Sequence, residues 1–586
     1  MKAISIGRAM DMMSLWPALV NTLAVLASVT VVSTGAARWA LMAPLVPLMI
    51  ILWRQRRTVL QVPKGVGGLS RYLTARFILI AAAGAQLVLT DEFDAIEKVA
   101  CVVTVVALAI EPILRSANGV AVPYAANFPD LAARNRAAFP YGWIFPLNLL
   151  ALLTLILSGL AATPLLAAAV VLSVISIMLA LLAFLDSGKR IQARRGFQST
   201  LSERLAEMGP VFYLYWHAPP RSAFQVTMWL PYLERLGVPF VLVVRTVPNF
   251  RQLEAATKHP VLLRRSLADL DALIIPSARG VFYVNNAMRN NHMVRYSQLK
   301  HIQLLHGESD KASSATPIIR IYDRDFVAGQ AAIDRFEKFG VSMHPDIFRI
   351  VGRPQVETVG PERGPIAELE TPAVLYAPTW RGYQADSNYS SLMAGSAIVR
   401  GLLDRRCRVV FRPHPYCSRD PELSAACRAI RRMLEADAIA TGREHLYGAV
   451  AEEEMSVVDC FNASDAMISD VSAVVGDFLH SGKPLAMVSP RTGAAEFVEA
   501  FPMARAAYVI VADGSVMQNL EQVLDELIGF DSRREERLQW ANYYLGDIPR
   551  ENYAYRFHQI ARRELGLDDI SCPQSGSAHD GPTNLL

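Results

Sequence analysis

The chain has 586 residues, of which 52% are hydrophobic, and its mean hydropathy of +0.24 is high for a soluble enzyme. Its length predicts two or three domains, and a formal net charge of only +4 argues against nucleic-acid binding. The six cysteines include no CxxC pair and their spacing fits no metal site, so we interpret them as reduced thiols.

The hydrophobic residues are concentrated in uncharged segments near the start of the chain. These segments are residues 12–37, 39–53, 77–90, 99–110 and 141–185. A membrane-spanning helix needs about 20 apolar residues, so the last segment is long enough for two. The third and fourth need flanking residues, among them Glu111, which we interpret as marking the end of a span. We predict six transmembrane helices in three hairpins over residues 1–195; a soluble helical core or a cleaved signal peptide fits less well.

Charged residues between these segments predict how the helices are oriented. Basic residues fill positions 54–76 and follow the last segment at 189–195, whereas acidic residues fill positions 91–97. Because basic loops mark the cytoplasmic side of a membrane, we expect both termini inside the cell. The pattern therefore predicts a multi-pass protein of the cell membrane with a cytoplasmic catalytic part.

From about residue 197 onward, short apolar runs alternate with amphipathic helical patterns. Strands are predicted at 211–216, 240–244, 273–276, 281–284, 302–305, 326–328, 348–351, 374–376, 408–411, 466–468 and 485–488. Helices are predicted at 224–236, 330–339, 392–404, 422–434, 473–481, 533–544 and 553–564. A Pro- and Gly-rich stretch at 360–372 separates two such series. This alternation predicts two doubly wound domains, 196–360 and 361–566, followed by a disordered tail at 567–586.

Two polar motifs follow strands of the second α/β domain. Arg412-Pro413-His414-Pro415 follows strand 408–411, and Ser469-Asp470-Val471-Ser472-Ala473 joins strand 466–468 to a helix. Ligands of doubly wound sheets bind beyond the carboxyl ends of the strands, and the first N–H groups of a helix attract anions. With Arg412 and His414 as additional donors, the motifs predict a diphosphate pocket. Helix capping by Ser and Asp, or a simple proline-rich turn, is the alternative.

Further polar residues follow other predicted strands. His306 leaves strand 302–305 beside Gly307, where a histidine of near-neutral pKa can take a proton from an attacking hydroxyl. Glu308 and Asp310 are candidates for orienting His306 or for binding an acceptor. The remaining candidates are Arg381 and Asp477 for the phosphates and ribose of the donor, and Asn285 and Asn286 for acceptor hydroxyls. For each of these residues, ordinary loop polarity is the alternative.

Six motifs follow one another in a characteristic order. They are HGESDK (306–311), VAG (327–329), VGRPQ (351–355), YAPTWR (376–381), RPHP (412–415) and SDVSAVVGDFL (469–479). Together they resemble the CDP-glycerol glycerophosphotransferase family, the polymerases and primases of teichoic-acid synthesis. The resemblance covers residues 282–490 best. It implies the GT-B fold of two Rossmann-like domains and the transfer of a phosphoglycerol unit from CDP-glycerol to a lipid-linked acceptor.

The resemblance also implies roles for individual residues. His306 matches the proposed base of the family, and His414 matches the histidine that contacts the pyrophosphate of the donor. Residues 469–472 match the phosphate-binding segment. The chain departs from the family where the usual Thr-Pro after His-Gly is replaced by Glu308-Ser309, and in carrying its own membrane domain. These departures leave the acceptor open.

We therefore expect an N-terminal multi-helix transmembrane domain followed by an α/β GT-B fold. The chain would be a membrane-anchored transferase that moves glycerol phosphate, or a related polyol phosphate, from a CDP-polyol to a lipid-linked or polymer acceptor. The product would be a teichoic-acid-like polymer of the cell envelope. Its partners would be the donor, the acceptor and membrane lipids, but no nucleic acid. The sequence leaves open whether the chain forms a homo-oligomer. A GT-B glycosyltransferase that builds a surface polysaccharide from a nucleotide sugar, and a non-catalytic membrane scaffold, are the alternatives.

No metal or cofactor is expected from the sequence. The two Asp-x-Asp pairs of the α/β region, Asp269-Leu270-Asp271 and Asp323-Arg324-Asp325, lead into predicted strands rather than leave them. Because ligands bind beyond the carboxyl ends of the strands, both pairs are expected to lie away from the cleft.

Overall fold

The computed structural model describes residues 15–60, 68–90, 94–121, 124–128, 139, 141–159, 162–382, 388–513, 516–549 and 552–567. Internal contacts divide the chain into two compact units, Met1–Leu201 and Ser202–Leu586. The tail that was predicted to be disordered lies, from residue 568 onward, outside the described residues.

The described part of the first unit consists mainly of helices. They are α1 (Trp16–Ser33), α2 (Met42–Leu60), α3 (Leu73–Leu89), α4 (Ala95–Val120), α5 (Ile144–Leu157) and α6 (Ala162–Ser199). Three segments are long and apolar enough to cross a membrane: Trp16–Ser33, Ala95–Val120 and Pro164–Ser199. Two apolar helices, Leu73–Leu89 and Tyr141–Leu157, are shorter. The structure thus supports three of the predicted spans by length and composition, and the others stay predictions.

Helix α1 illustrates how the residues of a candidate span are distributed. Its buried positions, which include Val20, Ala24 and Ala27, recur every three or four residues and so form one face. Large apolar side chains such as Leu26 and Val29 are exposed on the other side. Lipid tails solvate such a surface whereas water does not, and small residues let helices pack closely inside a membrane. The distribution is typical of a helix that meets lipid.

A buried ion pair connects three helices of this unit. The Arg76 guanidinium on α3 donates to both carboxylate oxygens of Glu111 on α4, each at 2.7 Å, and both side chains are 0% exposed. The carboxylate also accepts from Asn148 Nδ2 on α5 at 2.6 Å and from the Ser70 N–H at 2.7 Å. Glu111 therefore does more than mark the end of a span, because its charge is neutralised inside the helix bundle.

The second unit contains two sheets. The first sheet has seven described parallel strands in this unit, β1 (Phe212–Trp216), β2 (Phe240–Val244), β3 (Val261–Leu263), β4 (Gly280–Tyr283), β5 (Lys300–Gln303), β6 (Arg324–Val327) and β7 (Phe348–Ile350). Their order is β3-β2-β1-β4-β5-β6-β7. The strands FYLYW and FVLVV are buried on both faces, as expected when helices cover both sides of a parallel sheet.

The second sheet has six strands among the described residues. They are β8 (Ala373–Ala377), β9 (Arg408–Phe411), β10 (Ala466–Ser469), β11 (Leu485–Ser489), β12 (Tyr508–Asp513) and β13 (Val516–Met517), in the order β9-β8-β10-β11-β12-β13. Only the pairing of β12 with β13 is antiparallel. In both sheets the strand order reverses near the middle, which is the feature of a doubly wound sheet that creates a ligand crevice.

Helices of this unit cover the two sheets. They are α7 (Leu201–Met208), α8 (Phe224–Thr227), α9 (Leu230–Glu234), α10 (Val247–Ala256), α11 (Asn291–Val294), α12 (Gln330–Lys338), α13 (Gly395–Asp404), α14 (Pro421–Thr441), α15 (Val457–Asn462), α16 (Ala473–Leu479), α17 (Ala494–Ala500), α18 (Leu520–Ile528), α19 (Arg534–Leu545) and α20 (Tyr553–Glu564). Two successive doubly wound sheets confirm the predicted GT-B fold class.

Two local predictions were wrong. No strand forms at 273–276, because Leu273 ends a 3-10 helix, Ala268–Leu273; the edge strand is instead β3, whose three apolar residues pair with β2. The helix expected at 224–236 is split into α8 and α9, because Pro231 has no N–H to continue the helical hydrogen bonds. Strand β12 was not predicted.

The last helix of the chain returns to the first sheet. Phe557 on α20 packs on Trp229 with ring centroids 5.3 Å apart. At the other end of α20, the Glu564 carboxylate accepts from Arg324 and Arg349, each at 2.8 Å. The sequence grouped this helix with the second domain, but its contacts tie the two halves of the unit together.

We predict that Glu111→Ala lowers the free energy of unfolding by about 3–5 kcal/mol, because it leaves the Arg76 charge buried without a partner. The double variant Arg76→Met/Glu111→Leu removes both charges and should recover most of that loss. Denaturant unfolding of the protein in detergent micelles measures both, with Arg115→Gln, an exposed arginine on the same helix as Glu111, as the control. Equal stability of Glu111→Ala and the parent chain would contradict the prediction.

Candidate active site between the two sheets

The carboxyl ends of the central strands of the two sheets lead into loops that contact each other. In the first sheet, β1, β4 and β5 lead to residues 217–225, 284–286 and 304–311; in the second, β8, β9 and β10 lead to 378–381, 412–419 and 470–473. Tyr416 and Ser222 share a short hydrogen bond between these two groups of loops. The crevice that a doubly wound sheet reserves for ligands is therefore lined here by both sheets.

The loop after β5 meets the start of α16 at very close range. Gly307 has φ +155°, and a Cβ atom added to it would lie 2.7 Å from the Cβ of Ala473. Next to this contact, Arg353 Nε donates to Asp477 Oδ1 at 2.7 Å, and Arg353 Nη2 donates to the His306 carbonyl at 3.3 Å. Only glycine permits this approach, and the Arg353–Asp477 ion pair holds it.

The hydrogen bonds of His306 fix which ring nitrogen carries the proton. Its Nδ1 donates to the Val284 carbonyl at 2.8 Å, so the neutral ring has its lone pair on Nε2. Gln225 Nε2 lies 3.4 Å from that atom and can only donate to it. Burial lowers the pKa of His306 below its usual 6.5, and the positive charge of Arg353 lowers it further. His306 is thus neutral at pH 7 with a basic nitrogen available.

The amide of Gln225 is oriented by two donors. Trp216 Nε1 and Asn285 Nδ2 both donate to Gln225 Oε1, at 3.1 and 2.8 Å, which turns Gln225 Nε2 toward His306. The sequence did not single out Gln225, because nothing local distinguishes it. Asn285 was expected to bind the acceptor, but its amide nitrogen donates to Gln225 Oε1 and to the His217 carbonyl. Asn286 likewise accepts from Gln303.

Glu308 and Asp310 do not orient His306. The Glu308 carboxylate accepts from the Ala328 N–H and from Arg335 on α12, at 3.1 and 3.2 Å. Asp310 is buried and accepts from the Met503 N–H and the Tyr544 hydroxyl, at 2.9 and 2.8 Å. Both acids instead anchor the loop after β5, and Asp310 does so across the two halves of the unit.

His414 has the opposite tautomer. Its Nδ1 accepts from the Tyr416 N–H at 3.1 Å, so the neutral ring carries its proton on Nε2 and can donate there. The ring stacks on Trp380 with centroids 6.0 Å apart. Burial, together with the positive charge of Lys311, lowers its pKa to about 3. His414 is therefore a neutral hydrogen-bond donor at the pH of a cell.

Lys311 is a cleft residue that sequence reasoning did not select. It closes the HGESDK motif, which was the available signal. Burial lowers its pKa, and the carboxylate of Asp470 from the second sheet opposes that effect. Its Nζ lies 5.6 Å from the ring centroid of Tyr389, and its charge acts on His414. Lys311 thus brings a cation from the first half of the unit to the loops of the second.

The segment after β10 contains two side chains that are bonded inside the protein, Ser469 and Asp470, and one that makes no capping bond, Ser472. Ser469 Oγ donates to the Ala377 carbonyl at 2.7 Å and is fully buried. Asp470 is also fully buried, accepts from the Thr379 and Ser391 N–H groups, and has a pKa raised by burial to about 6. Neither of these two faces a phosphate as expected. Ser472 is the N-cap of the seven-residue helix α16 but makes no side-chain capping bond.

Three further side chains that were expected to contact the nucleotide donor are instead bonded to other groups of the protein. Arg381 forms ion pairs with Asp420 and Glu422, at 3.1 and 2.8 Å. Arg412 donates to the carbonyls of Ala451 and Met455. Asp477 is held by Arg353 rather than open to a ribose. The charged side chains are in the expected region, but each has a protein partner that its position in the sequence did not reveal.

The expected independence from metal stays a prediction. Within the described ranges, no three His, Cys, Asp or Glu side chains form a potential metal site. Asp269 and Asp271 lie in the 3-10 helix Ala268–Leu273, and Asp325 is buried in β6.

Residues 361–540 match the model of a family described as CDP-Glycerol:Poly(glycerophosphate) glycerophosphotransferase. This match confirms the resemblance that the motifs indicated, and it covers the second sheet and the loops that carry His414 and Ser472. It indicates that the chain is a transferase of the CDP-glycerol glycerophosphotransferase type.

Several solved structures are similar in fold. A variant of the wall teichoic acid polymerase TagF soaked with CDPG is 12% identical, with a TM-score of 0.40 over 63% of this chain and 93% of that chain. A UDP-N-acetylglucosamine 2-epimerase is 16% identical, with a TM-score of 0.40 over 61% and 97%. MnaA of S. aureus with UDP is 17% identical, with a TM-score of 0.41 over 61% and 97%. No curated protein matches the sequence significantly.

If His306 is the base, activity should be lost only at acidic pH. A base must be unprotonated, and the pKa of His306 lies below 6.5, so kcat/KM should stay level down to that pH and then fall about tenfold per pH unit below the pKa. His306→Gln should lower kcat by about 100- to 10,000-fold and abolish this acidic limb. The pH profile of CMP release from CDP-glycerol measures both; a limb centred above 6.5 would contradict the assignment.

Gly307→Ala should lower kcat about 100-fold, because a Cβ at this position collides with Ala473 and displaces the loop that carries His306. Gly340→Ala is the matched control, since Gly340 also has a positive φ, +66°, but open space around a Cβ. The control should lose about 1 kcal/mol of stability and keep its activity. Equal activity of the two variants would show that the close approach is not required.

Proposed function

We propose that this chain transfers a polyol phosphate, with glycerol phosphate from CDP-glycerol as the first candidate, to a hydroxyl of a growing or lipid-linked acceptor. The observation that supports this most directly is the pair of histidines with opposite tautomers in one crevice, His306 with a basic Nε2 and His414 with an Nε2–H. One is suited to remove a proton, the other to donate a hydrogen bond to a phosphate.

The proposed reaction is a direct displacement at phosphorus. An acceptor hydroxyl loses its proton to His306 Nε2 while its oxygen attacks the β-phosphorus of the donor. The bond between that phosphorus and the bridging oxygen breaks, and CMP leaves with the electron pair. A positioned base of this kind contributes about 100- to 10,000-fold to the rate.

Charge on the leaving phosphate would be stabilised by donors from both halves of the unit. Lys311 supplies a positive charge, His414 Nε2 a neutral donor and Ser472 a hydroxyl. Removing one such preorganised donor typically costs about 100- to 1,000-fold in kcat. His414 does not compete for the proton of the acceptor, because its pKa is about 3 and its one ring lone pair, on Nδ1, already accepts from the Tyr416 N–H.

The membrane part of the proposal concerns where the acceptor is met. The candidate spans precede the catalytic unit, and the basic residues 54–76 and 189–195 favour a cytoplasmic location for it. Nucleotide-activated donors are cytosolic, so a lipid-linked acceptor in the inner leaflet would meet the donor at the membrane surface. We infer a role in teichoic-acid-type polymer synthesis, supported by the family match.

Purified protein with CDP-glycerol and a lipid-linked acceptor should release CMP and extend the acceptor by one phosphoglycerol mass unit. His414→Ala and Lys311→Met should each lower kcat about 100-fold. His414→Gln keeps a donor N–H and should retain more activity than His414→Ala. His344→Gln is the control, because His344 is an exposed histidine of the same unit.

Release of UDP or another nucleotide from nucleotide sugars, with none from CDP-glycerol, would replace this proposal by a glycosyltransferase. If no donor is turned over and the variants leave the cellular polymer unchanged, the chain is a scaffold. Mass spectrometry of the product distinguishes phosphoglycerol addition from sugar addition.

A further inference from the structure

A cavity of about 550 Å³ lies in the first unit, at the end of the helices where α1 begins and α3 begins. Trp16, Arg54, Ser70, Arg71 and Thr74 are among the residues that line it. The residues of the candidate active site belong to the other unit. Its volume is within the range of sites that hold small organic ligands.

The lining of this cavity is suited to an anion. Two arginines, Arg54 and Arg71, contribute positive charge, and none of its described lining residues carries a carboxylate. Two further polar atoms, Trp16 Nε1 and Ser70 Oγ, are buried and have no hydrogen-bond partner within the part of the chain that the structure describes. Buried polar atoms are nearly always paired in folded proteins, so these two indicate a ligand that accepts hydrogen bonds.

Specific contacts hold the lining in place. The Arg54 guanidinium lies 4.7 Å from the ring centroid of Trp16, and Arg71 donates to Gln55 Oε1 at 2.9 Å. Ser70 has a left-handed backbone with φ +64°, a conformation that non-glycine residues adopt rarely. Its N–H is held by Glu111, and that carboxylate is neutralised by Arg76.

The position of the cavity favours a membrane lipid over a soluble phosphate as the source of the anion. It is formed by helix ends of a bundle whose outer surface is apolar, and its two arginines, Arg54 and Arg71, belong to the basic stretch 54–76 of the sequence. Basic pockets between membrane helices on the cytoplasmic side bind the phosphate head groups of lipids. A soluble phosphate would not require such a location.

We propose that this cavity binds the phosphate group of an anionic membrane lipid at the cytoplasmic surface. Arg54 and Arg71 would contact the phosphate, Ser70 Oγ and Trp16 Nε1 would donate to its oxygens, and the acyl or prenyl chain would leave between the helices. The proposal extends the proposed function to lipid recognition, but it requires no turnover of the donor.

The test uses the full-length protein in nanodiscs of phosphatidylcholine that contain, in separate arms, phosphatidylglycerol or undecaprenyl phosphate. Native mass spectrometry after release counts the retained lipids. The parent chain should retain the anionic lipid, phosphatidylglycerol or undecaprenyl phosphate, over zwitterionic phosphatidylcholine, and Arg54→Gln and Arg71→Gln should each reduce retention about fivefold. Arg115→Gln, an exposed arginine outside the cavity, should not. The arm with the stronger retention identifies the lipid class.

Three results would overturn the proposal: equal retention by the double variant Arg54→Gln/Arg71→Gln and the parent chain, no preference over phosphatidylcholine, or displacement of the lipid by soluble glycerol 3-phosphate. Arg54→Lys/Arg71→Lys keeps the charge and should keep most of the retention. If the glutamine variants do not fold, a photoreactive phospholipid on the parent chain decides, because its label must map to peptides that contain Trp16 or Thr74. CMP release is measured on the same sample, so a failed donor assay with intact lipid retention would reject the proposed function alone.

Discussion

The ion pair between Arg353 and Asp477 is the contact on which the rest of the active site depends. Arg353 is buried, leaves the first sheet just after β7, and reaches α16 of the second half, at 2.7 Å from Asp477. The same guanidinium donates to the His306 carbonyl. A buried charge without a partner is costly, so the two halves are held at the separation at which this pair forms, and Gly307 must then lack a side chain.

Main-chain hydrogen bonds determine which ring nitrogen of each of the two histidines carries the proton. A carbonyl accepts from Nδ1 of His306, whereas an N–H donates to Nδ1 of His414, so the free nitrogens are a base and a donor respectively. Burial keeps both rings neutral. The crevice thus contains a proton acceptor and a neutral hydrogen-bond donor without any charged histidine, and Lys311 contributes positive charge.

The helical unit reverses the usual arrangement of polar and apolar residues. Its outer surface carries large apolar side chains, while Arg76, Glu111 and Asn148 are fully buried. In an apolar environment, an ion pair with all its partners present is tolerated and a single charge is not. The polar cluster therefore fixes how three helices and the Ser70 backbone meet, and it shapes the cavity at that end of the bundle.

The sequence by itself determined the local features of this protein. The lengths of the uncharged apolar segments predicted the candidate spans, and the alternation of strands and helices predicted two doubly wound sheets. The motifs predicted His306, His414 and Ser472 as residues of the crevice. Strand β12 and the division of the 224–236 helix were not predicted, because short apolar runs and a single proline are ambiguous in isolation.

Only the tertiary structure decided the partners of the charged residues. Arg381, Arg412, Asp470 and Asp477 are all used internally, and Lys311 and Gln225 complete the site instead. A motif specifies which functional groups a loop carries, but hydrogen bonds and ion pairs form between residues far apart in the chain. Which group faces the crevice is therefore set by long-range packing, for which a single sequence contains no local signal.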